Sequence, residues 1–176
     1  TGGDIYIGVV GPMRTGKSTF IRQFMELFVL PNIADEYDKQ RAIDAMPQAG
    51  GGKTIMTVEP KFIPDESVRI DIRDNLSLNV RLVDCTGYPV PGAQGYMDGD
   101  APRMVRTLWF DEPVPFAEAA EVGTEKVIVD HATIGIVVTT DGSIVDIPRE
   151  AYVEAERKVV EKMAALGKPF VIVLNS

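Results

Sequence analysis

Gly11-Pro-Met-Arg-Thr-Gly16-Lys17-Ser18 decides how this chain is read. The stretch fits the spacing GxxxxGK[ST] at every fixed position. It directly follows the apolar run Ile5–Val10 and directly precedes Phe20, Ile21, Phe24, Met25 and Phe28, which recur at helical spacing. Strand, glycine-bounded loop and amphipathic helix in that order predict a phosphate-binding loop. Glycines at 11 and 16 let the backbone curl so that successive N–H groups face one anion, and the helix N-terminus adds its dipole. Lys17 brings a compact charge to the β- and γ-phosphates of a nucleoside triphosphate. Ser18 offers a hydroxyl to Mg²⁺, a hard cation that prefers oxygen. Arg14, Thr15 and Thr19 complete the loop residues expected at the nucleotide.

Outward from the loop, apolar strands alternate with helix-period segments. Pro31 stops the first helix, and a short helix is expected around Asp35–Ala45. Val68, Ile70 and Ile72 alternate with polar residues, Asp74-Asn75 turns the chain, and Leu76, Leu78, Val80 and Leu82 return as a β-hairpin. Gly87–Pro115 has no clear period. Phe116–Val129 reads as a helix, Thr133–Thr140 as a buried strand, and Pro148–Leu166 as a helix ended by Gly167 and Pro169. Lys168–Leu174 is the last strand. The prediction is an α/β fold of the P-loop NTPase kind: a mostly parallel sheet with one antiparallel hairpin strand and helices on both faces. Residues 1–176 make one nucleotide-binding domain. Its end, Val171-Ile-Val-Leu-Asn-Ser176, looks like a strand with its following loop cut away, so a fragment of a longer chain is expected.

A chain of 176 residues can bury roughly 70% of its unfolded surface without staples. Eighteen basic against twenty-six acidic residues leave a net charge of −8, which disfavours nucleic acid and anionic lipid as partners of this domain alone. A single cysteine, Cys85, excludes an intrachain disulfide and a cysteine metal site. The longest apolar stretches have the length of strands, so no membrane span is expected.

A second motif lies at Leu82-Val83-Asp84-Cys85-Thr86-Gly87, where a strand ends in D-x-x-G. Asp84 is placed beside the phosphate loop to hold Mg²⁺ through water, and the Gly87 N–H to sense the γ-phosphate. Between the motifs, Gly51-Gly-Lys-Thr-Ile-Met-Thr-Val-Glu-Pro-Lys61 holds a candidate switch threonine that caps Mg²⁺. Thr57 is chosen for its Thr-Val-Glu-Pro context before the hairpin, with Thr54 as competitor.

Phosphate loop, switch threonine and D-x-x-G in this order resemble the translation-factor-related class of P-loop GTPases. A closer resemblance is carried by Gly11-Pro-x-Arg-Thr-Gly-Lys-Ser-Thr-Phe20, Gly52-Lys-Thr-Ile-Met-Thr-x-Glu-Pro-Lys-Phe62 and Arg81-Leu-Val-Asp-Cys-x-Gly-Tyr88, with Val90-Pro-Gly-Ala93 and Thr139-Thr-Asp-Gly142. These stretches are similar to the stage IV sporulation protein A family of spore-coat morphogenetic ATPases. The resemblance implies ATP hydrolysis that drives self-assembly into a static homopolymer. It also implies a site in the mother-cell cytoplasm, peripheral on the forespore outer membrane, with a small amphipathic membrane-bound peptide and other coat proteins as partners.

The chain departs from guanine-specific relatives, which carry Asn-Lys-x-Asp after the last strand. Here Asn175-Ser176 stands, with Asn175 at the nucleotide and serine in place of the lysine that packs along the base. That favours ATP. Tyr88 occupies the position where many GTPases keep a water-orienting Gln, which predicts slow hydrolysis or a borrowed group. Arg14 is the first candidate, an arginine finger supplied in cis, against the plain alternative of a solvent-facing or ion-paired arginine; Lys53 is a second candidate cation. His131 reads as a capping or surface residue, Cys85 as a small buried hydrophobe, and Asp141-Gly142 as a simple turn or as a loop at a strand's carboxyl end that approaches the site. Trp109 and Phe110 read either as packing for a long switch region or as a self-contact patch. Two alternatives to the ATPase stand beside it: a GTPase switch protein, and a structural scaffold that binds nucleotide without turnover.

Overall fold

The chain opens on β1 (Asp4–Val10), which ends in the phosphate loop and leads into α1 (Lys17–Phe24). This computed structural model describes residues 3–47 and 58–176. Beyond α1 the helix widens into a π-type turn over Met25–Val29 and tightens at Leu30–Asn32, where Pro31 ends it. Next comes α2 (Glu36–Ala45), whose Asp35 side chain accepts a hydrogen bond from the Asp38 N–H, a regular N-cap. Strands β2 (Lys61–Arg73) and β3 (Leu76–Asp84) form the expected hairpin, with β2 starting well before Val68. A register shift between Ile63 and Val68 breaks the period-2 pattern there, which hid the early half of β2 from the sequence.

The stretch without a period holds two small ribbons, β4 (Met97–Asp98) with β5 (Ala101–Pro102), and β6 (Met104–Thr107) with β7 (Phe110–Pro115). Then follow α3 (Phe116–Lys126), β8 (Ile134–Thr140), α4 (Val153–Ala165) and β9 (Phe170–Asn175). The main sheet has five strands in the order β2-β3-β1-β8-β9, parallel except for the β2–β3 pair. The predicted architecture is therefore the one observed.

Each face of the sheet carries its own apolar layer. One joins Ile7, Val9, Leu82, Ile136 and Val138 to Ile21, Met25 and Val29 of the α1 side. The other joins Val10, Val83 and Val137 to Phe116, Ala120, Tyr152, Val159 and Met163 from the α3 and α4 side. Burial of a Leu, Ile or Phe side chain contributes about 1.5–3 kcal/mol, so these two layers dominate the stability of the domain. They also fix the geometry that matters for function. Strands β1 and β3 run parallel with Val9 opposite Asp84, so their carboxyl ends open side by side at one edge of the sheet.

Candidate functional site

Glycine makes the loop after β1 possible. Gly11 has φ +143°, and a Cβ there would lie 2.2 Å from the Val138 carbonyl oxygen of β8. The loop thus rests directly on the neighbouring strand, which no side chain would permit. Arg14, also in the loop, is a non-glycine at φ 59°. Two contacts hold it there: the Tyr152 hydroxyl donates to the Arg14 carbonyl (3.4 Å), and the Arg14 guanidinium donates to the Gln94 carbonyl (3.3 Å). The side chain is exposed and finds a backbone carbonyl, not the acidic partner that one sequence reading offered.

Lys17 lies beneath the loop, 5% exposed, and its Nζ donates to the Pro12 carbonyl at 2.6 Å. Thr15 is buried, its hydroxyl donating to the same carbonyl at 3.0 Å. Ser18 and Thr19 open α1 and are exposed, and the Ser18 hydroxyl donates to Asp84 Oδ2 (3.4 Å). Asp84 sits at the end of β3, where its Oδ1 accepts the Cys85 N–H at 2.9 Å. Burial pulls the Lys17 ammonium below its usual range, an effect that Asp84 opposes. Burial likewise pushes the Asp84 carboxyl up, against the pull of Lys17. Each group is therefore held short of its full charge tendency by desolvation, and a polyanion with a divalent cation would suit both.

Asn175, at the end of β9, points back at the loop, its Nδ2 donating to the Thr15 carbonyl at 3.1 Å and lying beside Gly16. The structure thus brings together Gly11, Arg14, Thr15, Gly16, Lys17, Ser18, Thr19, Asp84, Gly87 and Asn175. Thr57, its competitor Thr54, and Lys53 lie outside the described residues.

Gly87 ends the D-x-x-G motif against the phosphate loop, beside Lys17. Its N–H, expected at the γ-phosphate, donates to Thr124 Oγ1 of α3 at 3.1 Å. Tyr88 pairs with the loop as an isolated bridge: the Met13 N–H donates to the Tyr88 carbonyl (2.9 Å) and the Tyr88 N–H to the Gly11 carbonyl (3.1 Å). The Tyr88 ring leaves the site entirely. It is 2% exposed, with its hydroxyl donating to Glu125 Oε1 of α3 (3.5 Å) and Lys158 Nζ of α4 at 5.9 Å from the ring centroid. It lines a groove of about 350 Å³ between α3 and α4 with Glu121, Glu125, Lys158 and Lys162. Tyr88 is thus an anchor between helices, its hydroxyl turned toward Glu125 of α3. Burial first, and the nearby Glu125 and Glu121 carboxylates next, push its hydroxyl pKa up, so it stays a neutral donor.

Sequence reasoning missed Thr124, Tyr152 and Gln94. The first carried a faint signal: Gly123-Thr124 interrupts an alanine-rich helix, and glycine inside a helical pattern marks a close approach. A Cβ on Gly123 would meet the Val58 carbonyl oxygen at 2.1 Å and the Trp109 ring at 3.1 Å. The other two reach the loop from 138 and 80 residues away, which no local pattern reveals.

Residues 1–176 match the family described as "Stage IV sporulation protein A, ATPase domain". Along all 176 residues the chain is 60% identical to stage IV sporulation protein A of Bacillus subtilis (strain 168). It is 59% identical to the proteins of that name from Bacillus anthracis and Clostridioides difficile (strain 630). It spans 36% of the length of each of these relatives. With the loop, the D-x-x-G strand and a match over its whole length, the chain belongs to the stage IV sporulation protein A family, as its ATPase domain.

Proposed function

We propose that this domain hydrolyses ATP with Mg²⁺ and that hydrolysis drives self-assembly of a spore-coat basement layer on the forespore surface. The observation that carries the chemistry is the convergence of Lys17, Ser18 and Asp84 under a glycine-shaped loop, with the Ser18 hydroxyl 3.4 Å from Asp84. A hydroxyl and a carboxylate side by side suit Mg²⁺, which takes few protein oxygens and keeps waters and substrate phosphates as its other ligands. The buried amine beside them suits the terminal phosphates.

ATP, when bound, would supply the terminal phosphoryl group, with ADP as its leaving group and water as the acceptor, and the chain would supply charge and donors. Lys17 would exchange the Pro12 carbonyl for phosphate oxygens. Ser18 and Asp84, with Thr57 as the switch residue, would hold Mg²⁺, which would neutralise charge on the terminal phosphates. Tyr88 is committed to the helices, so the group that helps turnover is Arg14. Among the described residues its guanidinium donates to the Gln94 carbonyl, and an arginine finger is worth about 10³–10⁵ in rate where it has been seen. Asn175 braces Thr15, and Ser176 follows it where guanine-specific relatives keep lysine, which favours ATP over GTP. Assembly as a homopolymer, the mother-cell cytoplasm as its place, and an amphipathic membrane-bound peptide with other coat proteins as partners rest on the family resemblance. In support of a peripheral location, no helix among the described residues is long and apolar enough to cross a membrane.

The test is phosphate release from ATP and from GTP with and without Mg²⁺, with Lys17→Ala as blank. Mg²⁺-dependent turnover of ATP above GTP, lost in Lys17→Ala, is expected. Preferential turnover of GTP, or tight binding with no turnover, would overturn the reading. Arg14→Ala is expected to lower kcat at least about tenfold while the Kd for ATP stays within about threefold, as for a group that acts only in the transition state.

A further inference from the structure

The D-x-x-G loop is tied to α3 through one hydroxyl. Thr124 is fully buried, and its Oγ1 accepts the Gly87 N–H (3.1 Å) while donating to the Ala120 carbonyl one turn back (2.8 Å). Gly87 also lies against the phosphate loop: a Cβ there would sit 2.5 Å from Lys17 Nζ and 2.6 Å from the Gly11 carbonyl oxygen. Its N–H therefore starts from a position beside the lysine that reaches terminal phosphates, yet faces a helix. A buried N–H requires an acceptor and can serve only one well. The next residue of this ladder, Tyr88, is fastened to the same helix through Glu125 and to the loop through two backbone bonds. On α3, Gly123 also lies against the Val58 carbonyl, so consecutive α3 residues meet the chain at Val58 and at Gly87.

We propose that Thr124 is a positioning residue of the nucleotide site, whose hydroxyl competes with the terminal phosphate of a bound triphosphate for the Gly87 N–H. Thr124 touches no substrate atom and acts through Gly87. A triphosphate must detach the loop from α3, whereas a diphosphate, lacking the terminal group, leaves the Gly87–Thr124 bond in place. Helix α3 thus carries the difference between the two ligands. The inference rests on the phosphate-site reading given above and adds the residue that opposes it.

The test uses the intact protein with Thr124→Val, which keeps the shape and removes the acceptor, and Thr124→Ser, which keeps the acceptor. Calorimetry with Mg²⁺ measures Kd for ADP and for an ATP analogue with a non-hydrolysable β,γ-bridge. Thr124→Val is expected to raise the preference for the triphosphate analogue over ADP by about three- to tenfold, the worth of one net hydrogen bond. Thr124→Ser is expected to keep the wild-type preference. Without nucleotide, amide hydrogen exchange across 87–90 should quicken in Thr124→Val only. An unchanged preference in Thr124→Val, or the same change in Thr124→Ser, would overturn the proposal.

Should Thr124→Val not fold, exchange in the wild-type protein decides. The triphosphate analogue should speed exchange around 120–124 and ADP should not, whereas identical profiles with the two ligands overturn the competition. Failure of the underlying reading looks different: neither ligand binds, or Lys17→Ala binds both as the wild type does. Intact binding with a preference indifferent to Thr124 sinks only the role of Thr124.

Discussion

At the scale of single residues, the loop is held from outside as much as from within. Asn175 reaches it from the far end of β9 to donate to the Thr15 carbonyl, and Tyr152 donates to the Arg14 carbonyl from the turn before α4. Asn175→Ala removes a donor worth about 1 kcal/mol and should weaken ATP binding about fivefold by calorimetry. Asn175→Asp should weaken it further, since a carboxylate would then face a carbonyl oxygen. Lys17, Ser18 and Asp84 were legible in the sequence because a phosphate loop and a D-x-x-G strand are short motifs whose spacing survives without tertiary context. The place of Tyr88 was not legible. Its position after Gly87, where many GTPases keep a water-orienting Gln, said nothing of where the ring goes, which is decided by Glu125 and Lys158, 37 and 70 residues onward in α3 and α4.

Among elements, α4 is tied to β8 by a compact ion-pair cluster. Arg149 makes two hydrogen bonds to the Glu156 carboxylate at 2.7 and 3.0 Å, and the Thr139 hydroxyl donates to the same carboxylate. Arg149 first, then the threonine, hold the Glu156 carboxyl below its ordinary pKa of 4.5, against the effect of burial. A carboxyl lowered by folding contributes stability that is complete above its unfolded pKa and is lost as pH falls through the folded value. Glu156→Gln should therefore cost about 1–2 kcal/mol near neutral pH. Urea unfolding from about pH 6 to about pH 3 should show that cost shrinking as the wild type is protonated; a constant difference would refute the assignment. Helices α1, α3 and α4 and strands β3, β8 and β9 were readable because each has a single period over most of its length. The ribbons between Gly87 and Pro115 were not. They are fixed by contacts such as Arg103 to the Gly95 carbonyl and the Tyr96 hydroxyl to the Val90 carbonyl, which leave no periodic trace.

Across the whole molecule, the sheet is well covered in its centre and bare at one margin. Strand β9 pairs only with β8 among the described strands, and Val171, Ile172 and Leu174 are 59%, 54% and 59% exposed. An edge strand with apolar side chains on both faces invites pairing with other chains. Ile172→Lys should lower the self-association of this chain in light scattering while changing its unfolding free energy by less than about 0.5 kcal/mol, as for a surface position. Equal scattering from both would show that this margin is not the sticky surface. The mostly parallel sheet with one antiparallel hairpin strand was legible from strand and helix alternation. The bareness of β9 was not, because an apolar run reads alike whether buried or exposed. The only tryptophan of the chain, Trp109, lies with its ring 3.1 Å from where a Cβ of Gly123 would be, and its centroid is 5.6 Å from Lys126 Nζ. An indole held this close to the ammonium and the helix is placed to serve as an intrinsic optical gauge of α3. Any ligand that shifts this helix should change the fluorescence of the unlabelled protein, giving a real-time signal for its cycle.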